Sequence, residues 1–300
     1  MSIHPQAHGT DWPAVFHAID RDISEWTPAS LRAAYVEHGC AVVRRAIDLE
    51  AIARLHAITS ELYTRAVGVH VFEPEIVEAS QGRVSGFDLV SNPLLTQFLD
   101  CVFAGQHYQR ESATARRIGA PGDQAGWQPP LSLHVDSFFH EFWFTVNFWV
   151  PFDECGIDAP GLQLLPIDYR TTRRYIGFSR NPIYQYREQT ENSRYFPADA
   201  FHLDRIREDF GVDCLFRPEM KPGDVAIASN WIIHGSHENA AMTKNRASME
   251  LRFIGTCPDI AVRPDSLDRY RMAAWFQANR LASKLRGRTR TGLPFWATRM

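Results

Sequence analysis

The chain has 300 residues, a formal net charge of −3 at pH 7, and a composition that is 45% hydrophobic and 12% aromatic. This composition can bury a large core and argues against global disorder, while the small charge excludes a general attraction to nucleic acid or to a membrane surface. No run approaches the roughly 18 apolar residues of a membrane-spanning helix, and the N-terminus lacks the basic and apolar regions of a secretory signal.

The first 106 residues predict a helical region with one strand. Capping residues, apolar periodicity and glycine stops give four elements: a helix capped by Thr27 or Ser30 and ended by Gly39, a strand over 40–46, a helix from Asp48 to about Val67, and a short helix over 93–104. No internal repeat or low-complexity linker separates this region from the rest of the chain. We therefore expect residues 1–300 to form one domain.

Short strands with turn residues between them predict a β core over residues 107–256. The predicted strands are 107–117, 130–136, 142–152, 161–166, 214–219, 224–229 and 246–256. Segment 167–213 interrupts this rhythm as a lid-like insertion. A helix is expected over 265–285 within the C-terminal part 257–300. Many short strands after a helical region indicate a barrel or sandwich with flanking helices.

Cysteine usage bears on the compartment of the protein. The five cysteines are odd in number and scattered without a C-x-x-C pair: Cys40, Cys101, Cys155, Cys214 and Cys257. This distribution predicts reduced thiols and a cytoplasmic protein rather than a disulfide framework or a zinc ribbon.

The strand predicted over 130–136 carries His134 and Asp136, two residues apart and therefore on the same face. A carboxylate on an inward face needs a partner, and a divalent metal is a natural one. A second copy of the triplet, His202 to Asp204, lies in a helix-like segment where the two side chains diverge, so we interpret it as part of a surface helix. The triplet alone therefore does not prove a metal site.

A third ligand is expected from a distant strand. Residues 223–239 offer His234 and His237, and His234 ends an apolar run, which favours an inward position. Two histidines with one carboxylate are the ligand set of non-haem Fe(II) oxygenases. The alternative is a core histidine whose ring is hydrogen-bonded to the backbone.

The strand predicted over 246–256 alternates strictly between polar and apolar residues. One face would carry Arg246, Ser248, Glu250 and Arg252. If that face is internal, an arginine beside a serine makes a receptor for a carboxylate. The alternative is an amphipathic strand whose polar face meets water.

In this order and spacing, the motifs resemble those of the phytanoyl-CoA dioxygenase family of Fe(II)/2-oxoglutarate oxygenases. The matching pieces are His134-Val135-Asp136, Trp149-Val150-Pro151-Phe152-Asp153, Gly161-Leu162, Pro222-Gly223-Asp224, His234-Gly235-Ser236, Asn239 and Arg246. The resemblance covers about residues 28–256. One departure is Pro166-Ile167-Asp168-Tyr169, where the family usually has G-S-H after the proline, so the substrate-side lip is expected to differ.

The resemblance implies a mainly β fold with flanking helices around a double-stranded β-helix, the jelly roll of cupin-like proteins. It implies His134, Asp136 and His234 as iron ligands. Arg246 would hold the distal carboxylate of 2-oxoglutarate with help from Ser248 or Ser236, and Trp149 would line that pocket. The expected reaction consumes 2-oxoglutarate and O₂, releases succinate and CO₂, and hydroxylates an unactivated C–H bond of a small metabolite. Because Asp136 is a carboxylate and not the small residue of related halogenases, hydroxylation is favoured, with desaturation, epimerisation and ring closure as variants.

Three alternatives remain from the sequence. One is another cupin-like metalloenzyme with His140 and Glu141 in its ligand set, and another is a non-catalytic metal- or ligand-binding barrel. The third is a nucleic-acid demethylase activity, which the lack of a basic face outside the C-terminal tail disfavours. The partner expected is a small-molecule substrate, with no nucleic acid and no membrane, and the sequence does not predict the oligomeric state. Candidate pocket residues are aromatic or basic: Phe138, Phe139, His140, Trp143, Tyr169, Arg173, Arg174 and Arg187.

Overall fold

A seven-stranded sheet is the frame of the protein in the computed structural model, which describes residues 10–65, 70–122, 127–128, 130–136, 144–176 and 203–255. In the described residues the strands are β1 (Asp20–Asp22), β2 (Cys40–Arg44), β3 (His70–Phe72), β4 (Gln109–Ile118), β5 (Phe144–Pro151), β6 (Gly161–Leu165), β7 (Val225–Ser229), β8 (Ile233–His237) and β9 (Arg246–Gly255). The large sheet has the order β1-β2-β7-β5-β9-β4-β3, with only the β1–β2 pair parallel.

A smaller sheet consists of β6 and β8, paired antiparallel. Isolated bridges widen it on both sides: His134 pairs with His234 of β8, and Phe216 pairs with Leu164 of β6. Buried side chains from both sheets fill the space between them, among them Cys40, Val42, Ala226, Leu162, Leu164 and Ile232. This arrangement is the mainly β jelly roll with flanking helices expected above, so the predicted fold class is confirmed.

The helices between Pro28 and Val102 pack on the outer face of the large sheet, whereas Trp12, Ile206 and Phe210, from the first and last described helices, pack in a separate cluster with Ile233 of β8. The described helices are α1 (Trp12–Ile19), α2 (Pro28–His38), α3 (Leu49–Arg65), α4 (Glu73–Ala79), α5 (Pro93–Val102), α6 (Tyr169–Ile176) and α7 (Leu203–Phe210), with 3₁₀ turns at Ile23–Glu25 and Gly86–Val90. The largest apolar cluster joins this layer to the sheet through Leu31, Tyr35, Leu55, Phe98, Phe148 and Leu251. Because the outer face of the sheet is apolar and covered, its polar residues lie on the inner face.

The predicted helix after Thr27 begins and ends as its sequence indicates. The hydroxyl of Thr27 accepts a hydrogen bond from the N–H of Ser30, and the hydroxyl of Ser30 accepts one from the N–H of Thr27, which makes a reciprocal cap. Gly39 ends the helix with φ of 72°, a conformation that suits glycine. The helices predicted near 48–67 and 93–104 are also confirmed, as α3 and α5.

Two of the predicted strands are wrong in extent. Residues 214–219 contribute one bridge position, at Phe216, and the next bridge lies just beyond them, at Met220. Pro218 between the two has no N–H with which to continue a ladder. Residues 130–136 contribute one bridge, at His134. The short strands β1 and β3 were not predicted because three residues are too few to show a period, and β8 was expected only as a distant strand within 223–239, without bounds of its own.

Parts of the other predictions lie outside the described residues. Within the insertion 167–213 the structure gives α6 and α7, and Asp204 is an exposed residue of α7, as the surface-helix interpretation expects. His202 and the helix predicted over 265–285 lie outside the described residues. That the chain forms one domain stays a prediction. Within the described ranges, no helix has the length and apolar character needed to cross a bilayer. The four described cysteines have free thiols.

Candidate metal centre

Three side chains predicted as metal ligands meet where the small sheet faces the large one. One donor atom each from His134, Asp136 and His234 lies within 4.8 Å of the others. The Nε2 atom of His134 is 3.8 Å from Oδ1 of Asp136, and Nε2 of His234 is 4.0 Å from Oδ2. Two donors that bind one ion at about 2.1 Å each can be at most about 4.2 Å apart. Each histidine therefore lies at ion-sharing distance from one oxygen of Asp136, His134 from Oδ1 and His234 from Oδ2.

The backbone brings the two histidines together although they are far apart in the chain. The N–H of His134 donates to the carbonyl of His234 at 2.7 Å, and the N–H of His234 donates to the carbonyl of His134 at 2.8 Å. The hydroxyl of Ser236 accepts from the N–H of Leu131 at 2.9 Å. Gly235 lets the segment approach this closely, since a Cβ there would lie 2.9 Å from the carbonyl oxygen of Leu131.

Backbone carbonyls orient both imidazole rings. Nδ1 of His134 lies 2.7 Å from the carbonyl oxygen of Ser132, and Nδ1 of His234 lies 3.1 Å from that of Ile232. Because Nδ1 must donate in these bonds, Nε2 keeps its lone pair and points toward Asp136. Burial, together with the neighbouring His234, lowers the pKa of His134 to about 3. The ring is therefore neutral at physiological pH, as a metal ligand must be.

Asp136 is buried and receives hydrogen bonds from the large sheet. Its Oδ2 accepts from Nδ2 of Asn147 in β5 at 2.8 Å and from a terminal nitrogen of Arg252 in β9 at 3.2 Å. Burial alone would lower the pKa of Arg252, but the carboxylates of Asp136 and Glu250 outweigh it and raise that pKa above its ordinary value. A permanently charged guanidinium therefore lies against the carboxylate of Asp136.

The polar face of β9 points inward, as one of the two sequence interpretations expected. Arg246 is 3% exposed and Ser248 is 1% exposed. Nε of Arg246 donates to the carbonyl of Pro160 at 2.6 Å, NH1 donates to the hydroxyl of Ser248 at 2.6 Å, and the guanidinium lies over the ring of Trp149 at 4.7 Å. Burial lowers the pKa of Arg246 to about 10, so the group is still a cation at neutral pH.

No carboxylate in the described part of the chain lies within ion-pairing distance of Arg246. A buried cation is costly without an anion, so this pocket suits an anionic ligand. Ser236, the other serine predicted to help Arg246, makes its described bonds to Leu131 and, through its carbonyl, to Gln163. The structure thus brings Ser248 and Trp149 to Arg246, whereas Ser236 ties the segment that carries His134 to β8.

The donor set fits a first-row divalent ion such as Fe(II). Two neutral imidazoles and one carboxylate are the ligands that such ions share with non-haem iron sites, and three protein donors leave coordination positions for other molecules. Sequence analysis did not name Asn147, whose only signal is one amide in an otherwise apolar strand. The alternative ligands His140 and Glu141, and the candidate pocket residues Phe138, Phe139, Trp143 and Arg187, lie outside the described residues.

Comparison with known proteins gives a match in structure alone. No protein-family model matches the sequence, and no curated protein matches it. EctD from S. alaskensis with 2-oxoglutarate and 5-hydroxyectoine superimposes with a TM-score of 0.52 and 15% identity over 77% of this chain and 79% of that one. EvdO2 from Micromonospora carbonacea var. aurantiaca complexed with 2-oxoglutarate gives 0.51 and 13% over 78% and 93%.

A third solved structure gives a similar match. The non-haem alpha-ketoglutarate-dependent carbocyclase SnoK from nogalamycin biosynthesis gives a TM-score of 0.52 and 14% identity over 77% of this chain and 86% of that one. At such identities the similarity concerns the fold. The chain has the jelly-roll architecture of these proteins across most of their length.

Proposed function

We propose that the protein is a non-haem Fe(II)- and 2-oxoglutarate-dependent oxygenase that hydroxylates a small molecule. The observation that carries the proposal is the convergence of His134, Asp136 and His234 inside a jelly roll. Solved structures with this fold include complexes with 2-oxoglutarate. The resemblance of the sequence motifs to the phytanoyl-CoA dioxygenase family supports the same activity.

In this proposal the iron is held by Nε2 of His134, Nε2 of His234 and a carboxylate oxygen of Asp136. Bound Fe(II) supplies the redox chemistry by which O₂, 2-oxoglutarate and a substrate C–H bond give succinate, CO₂ and a hydroxylated product. The protein's part is to orient both imidazoles through their Nδ1 bonds to backbone carbonyls. It also places the cation of Arg252 beside the carboxylate of Asp136.

Arg246 is the residue that we assign to the distal carboxylate of 2-oxoglutarate. Its guanidinium is buried without a carboxylate among the described residues, and Ser248 offers a hydroxyl beside it. The face of Trp149 packs against the guanidinium and keeps it in place. A dicarboxylate bound here neutralises the cation at one end and reaches toward the triad with the other.

The reaction assigned is hydroxylation, and the same components also serve desaturation, epimerisation or ring closure. One solved structure with this fold is described as a carbocyclase, so reactions other than hydroxylation occur on it. Product analysis with candidate substrates distinguishes these outcomes, because only hydroxylation adds an oxygen atom to the substrate.

The test is anaerobic addition of Fe(II) and 2-oxoglutarate to the full chain, followed by visible absorption spectroscopy. We expect a weak charge-transfer band in the wild type and a much weaker one in Asp136→Ala at the same Fe(II) concentration, because the substitution removes one of three protein ligands. Thr145→Val is the matched control, since Thr145 is buried in the same strand as Asn147 and its hydroxyl has no hydrogen-bond partner among the described residues. A full band in Asp136→Ala would contradict the ligand assignment.

Admission of O₂ separates an enzyme from a non-catalytic barrel. An oxygenase of this kind forms some succinate from 2-oxoglutarate even without its own substrate, whereas a binding barrel with bound iron forms none. Succinate measured over time in the wild type and in Asp136→Ala gives this distinction. A ligand set that includes His140 and Glu141 would be revealed by iron binding that survives loss of Asp136.

A further inference from the structure

Two side chains outside the proposed ligand set donate to the same oxygen of Asp136. Nδ2 of Asn147 lies 2.8 Å from Oδ2, and a terminal nitrogen of Arg252 lies 3.2 Å from it. Each oxygen of a carboxylate has two lone-pair directions in the carboxylate plane. Two donors fill those of Oδ2. Both oxygens face a histidine, Oδ1 at 3.8 Å from Nε2 of His134 and Oδ2 at 4.0 Å from Nε2 of His234, so the two hydrogen bonds, and not the distances, set Oδ2 apart from Oδ1.

Asn147 has a contact pattern that structural packing does not explain. The residue is 4% exposed, its Nδ2 bonds to Asp136, and its Oδ1 is buried with no hydrogen-bond partner among the described residues. Buried amides kept for structure alone normally use both their donor and their acceptor. Asn147 uses only its donor, and uses it on the proposed ligand.

Arg252 is held in place by Glu250 as well as by Asp136. Its Nε donates to Oε1 of Glu250 at 2.7 Å, and Arg116 holds the other oxygen of Glu250 at 3.0 Å. Asn147 and Arg252 are also direct partners in the register of β5 and β9. The two donors therefore arrive at Asp136 from neighbouring points of one rigid sheet.

We infer that Asn147 and Arg252 are positioning residues that hold Asp136 as a one-oxygen metal ligand through Oδ1. The inference rests on the proposed metal site. A carboxylate that bound through both oxygens would take one more coordination position and leave one fewer for the 2-oxo acid and O₂. Holding Oδ2 on the sheet keeps those positions open.

The test measures metal binding by the full chain without cosubstrate. Mn(II) is the probe, and the electron paramagnetic resonance signal of free Mn(II) gives the dissociation constant. We expect Asn147→Leu, which has a similar volume and no donor, to bind Mn(II) about 10- to 100-fold more weakly, the usual effect of losing a partner of a metal ligand. Thr145→Val, two residues away on the same face of β5, should bind like the wild type.

A structural role is separated from a positioning role by two further readouts. The thermal unfolding midpoint of metal-free Asn147→Leu should equal that of the wild type or exceed it, because the substitution removes a buried acceptor without a partner. The d–d absorption of the Co(II)-loaded variant should change in shape, because Asp136 is then able to bind through both oxygens. If leucine prevents folding, Asn147→Ser replaces it, since serine is too short to reach Oδ2.

Arg252→Lys tests the second residue without removing its charge. Lysine keeps a cation beside Asp136 and Glu250 but loses the planar fork that contacts both, so we expect a loss of Mn(II) affinity of about tenfold. Wild-type affinity and Co(II) spectra in Asn147→Leu and Arg252→Lys would overturn the inference while leaving the proposed function intact. Absence of Mn(II) binding in the wild type would instead overturn the proposed metal site itself.

Discussion

At the scale of single residues, the site contains two buried charges that differ in whether a charge of opposite sign lies beside them. The carboxylate of Asp136 has a cation beside it in Arg252, and that cation has Glu250 as a further partner. Arg246 is as deeply buried but has no carboxylate beside it in the described part of the chain, and burial lowers its pKa to about 10. Of these two arginines, Arg246 is thus the one with room for an anion from outside the described part of the chain.

This difference predicts that loss of Arg246 weakens the binding of 2-oxoglutarate but not the binding of the metal. Arg246→Ala should raise the apparent KM for 2-oxoglutarate by roughly 100-fold, because it removes a bidentate, charge-assisted contact worth about 3 kcal/mol. Mn(II) binding without cosubstrate should be unchanged, since Arg246 does not contact the triad. Succinate formation at varied 2-oxoglutarate and a Mn(II) titration give the two values.

Arg246→Lys is the control for charge, and we expect its KM to lie between those of the wild type and Arg246→Ala. A KM for 2-oxoglutarate that stays at the wild-type value in Arg246→Ala would contradict the assignment of this residue to the cosubstrate.

At the scale of elements, the metal centre depends on the crossing of β8 with the segment that carries His134. A Cβ on Gly235 would lie 2.9 Å from the carbonyl oxygens of both Leu131 and Ser132. These are backbone atoms that cannot turn aside as a flexible side chain can. An added methyl group must therefore push the segment away from β8 and separate the two histidines.

Gly235→Ala should accordingly weaken Mn(II) binding by at least about tenfold, an effect of the size seen when a ligand loses its support. Gly86→Ala is the matched control, because its Cβ would also approach neighbours at 2.9 Å, namely Ala113 and Glu73, on the outer side of the large sheet. Both variants should lose stability, and only Gly235→Ala should lose metal affinity. Equal Mn(II) dissociation constants in the two variants would contradict this account.

The elements also show where sequence reasoning succeeds. Strict alternation in 246–255 predicted that Arg246, Ser248, Glu250 and Arg252 share one face, because the period of a strand is two residues. Capping residues and the glycine at the end of the helix likewise predicted α2, because these signals lie at the ends of the element itself. The bridge between His134 and His234 depends on a partner 100 residues away, which no local pattern specifies.

Asn147 marks the limit of that reasoning. Its strand is apolar enough to be predicted as a strand, but a single amide does not reveal which residue it contacts. Its partner Asp136 lies in a segment that makes only one bridge. The proposed ligands were therefore accessible from residue type, spacing and the resemblance to a family, whereas the groups that hold them required the fold.

At the scale of the whole molecule, a bound metal would join parts of the chain that are distant in sequence. The donors come from residues 134–136 and from β8, and their supports come from β5 and β9. A ligand that binds only the folded state stabilises it by about 2.7 kcal/mol at 100 times its dissociation constant. Metal binding should therefore be visible in global unfolding.

We expect Mn(II) with 2-oxoglutarate, each near 100 times its dissociation constant, to raise the unfolding midpoint by roughly 5 °C or more. Asp136→Ala should show no such rise at the same concentrations. Differential scanning calorimetry with and without a chelator measures both. An identical rise in the wild type and in Asp136→Ala would show that the ions bind elsewhere.

Strand β9 carries both Arg246, in the pocket assigned to the cosubstrate, and Arg252, which bonds to Asp136. Their orientation depends on an even number of steps between them. One residue inserted between the two positions would turn one of the arginines to the helix-covered side. Both ends of the site thus depend on the alternation of a single strand. An insertion or deletion within β9 keeps both arginines on the inner face only when it contains an even number of residues, while substitutions at either end remain independent.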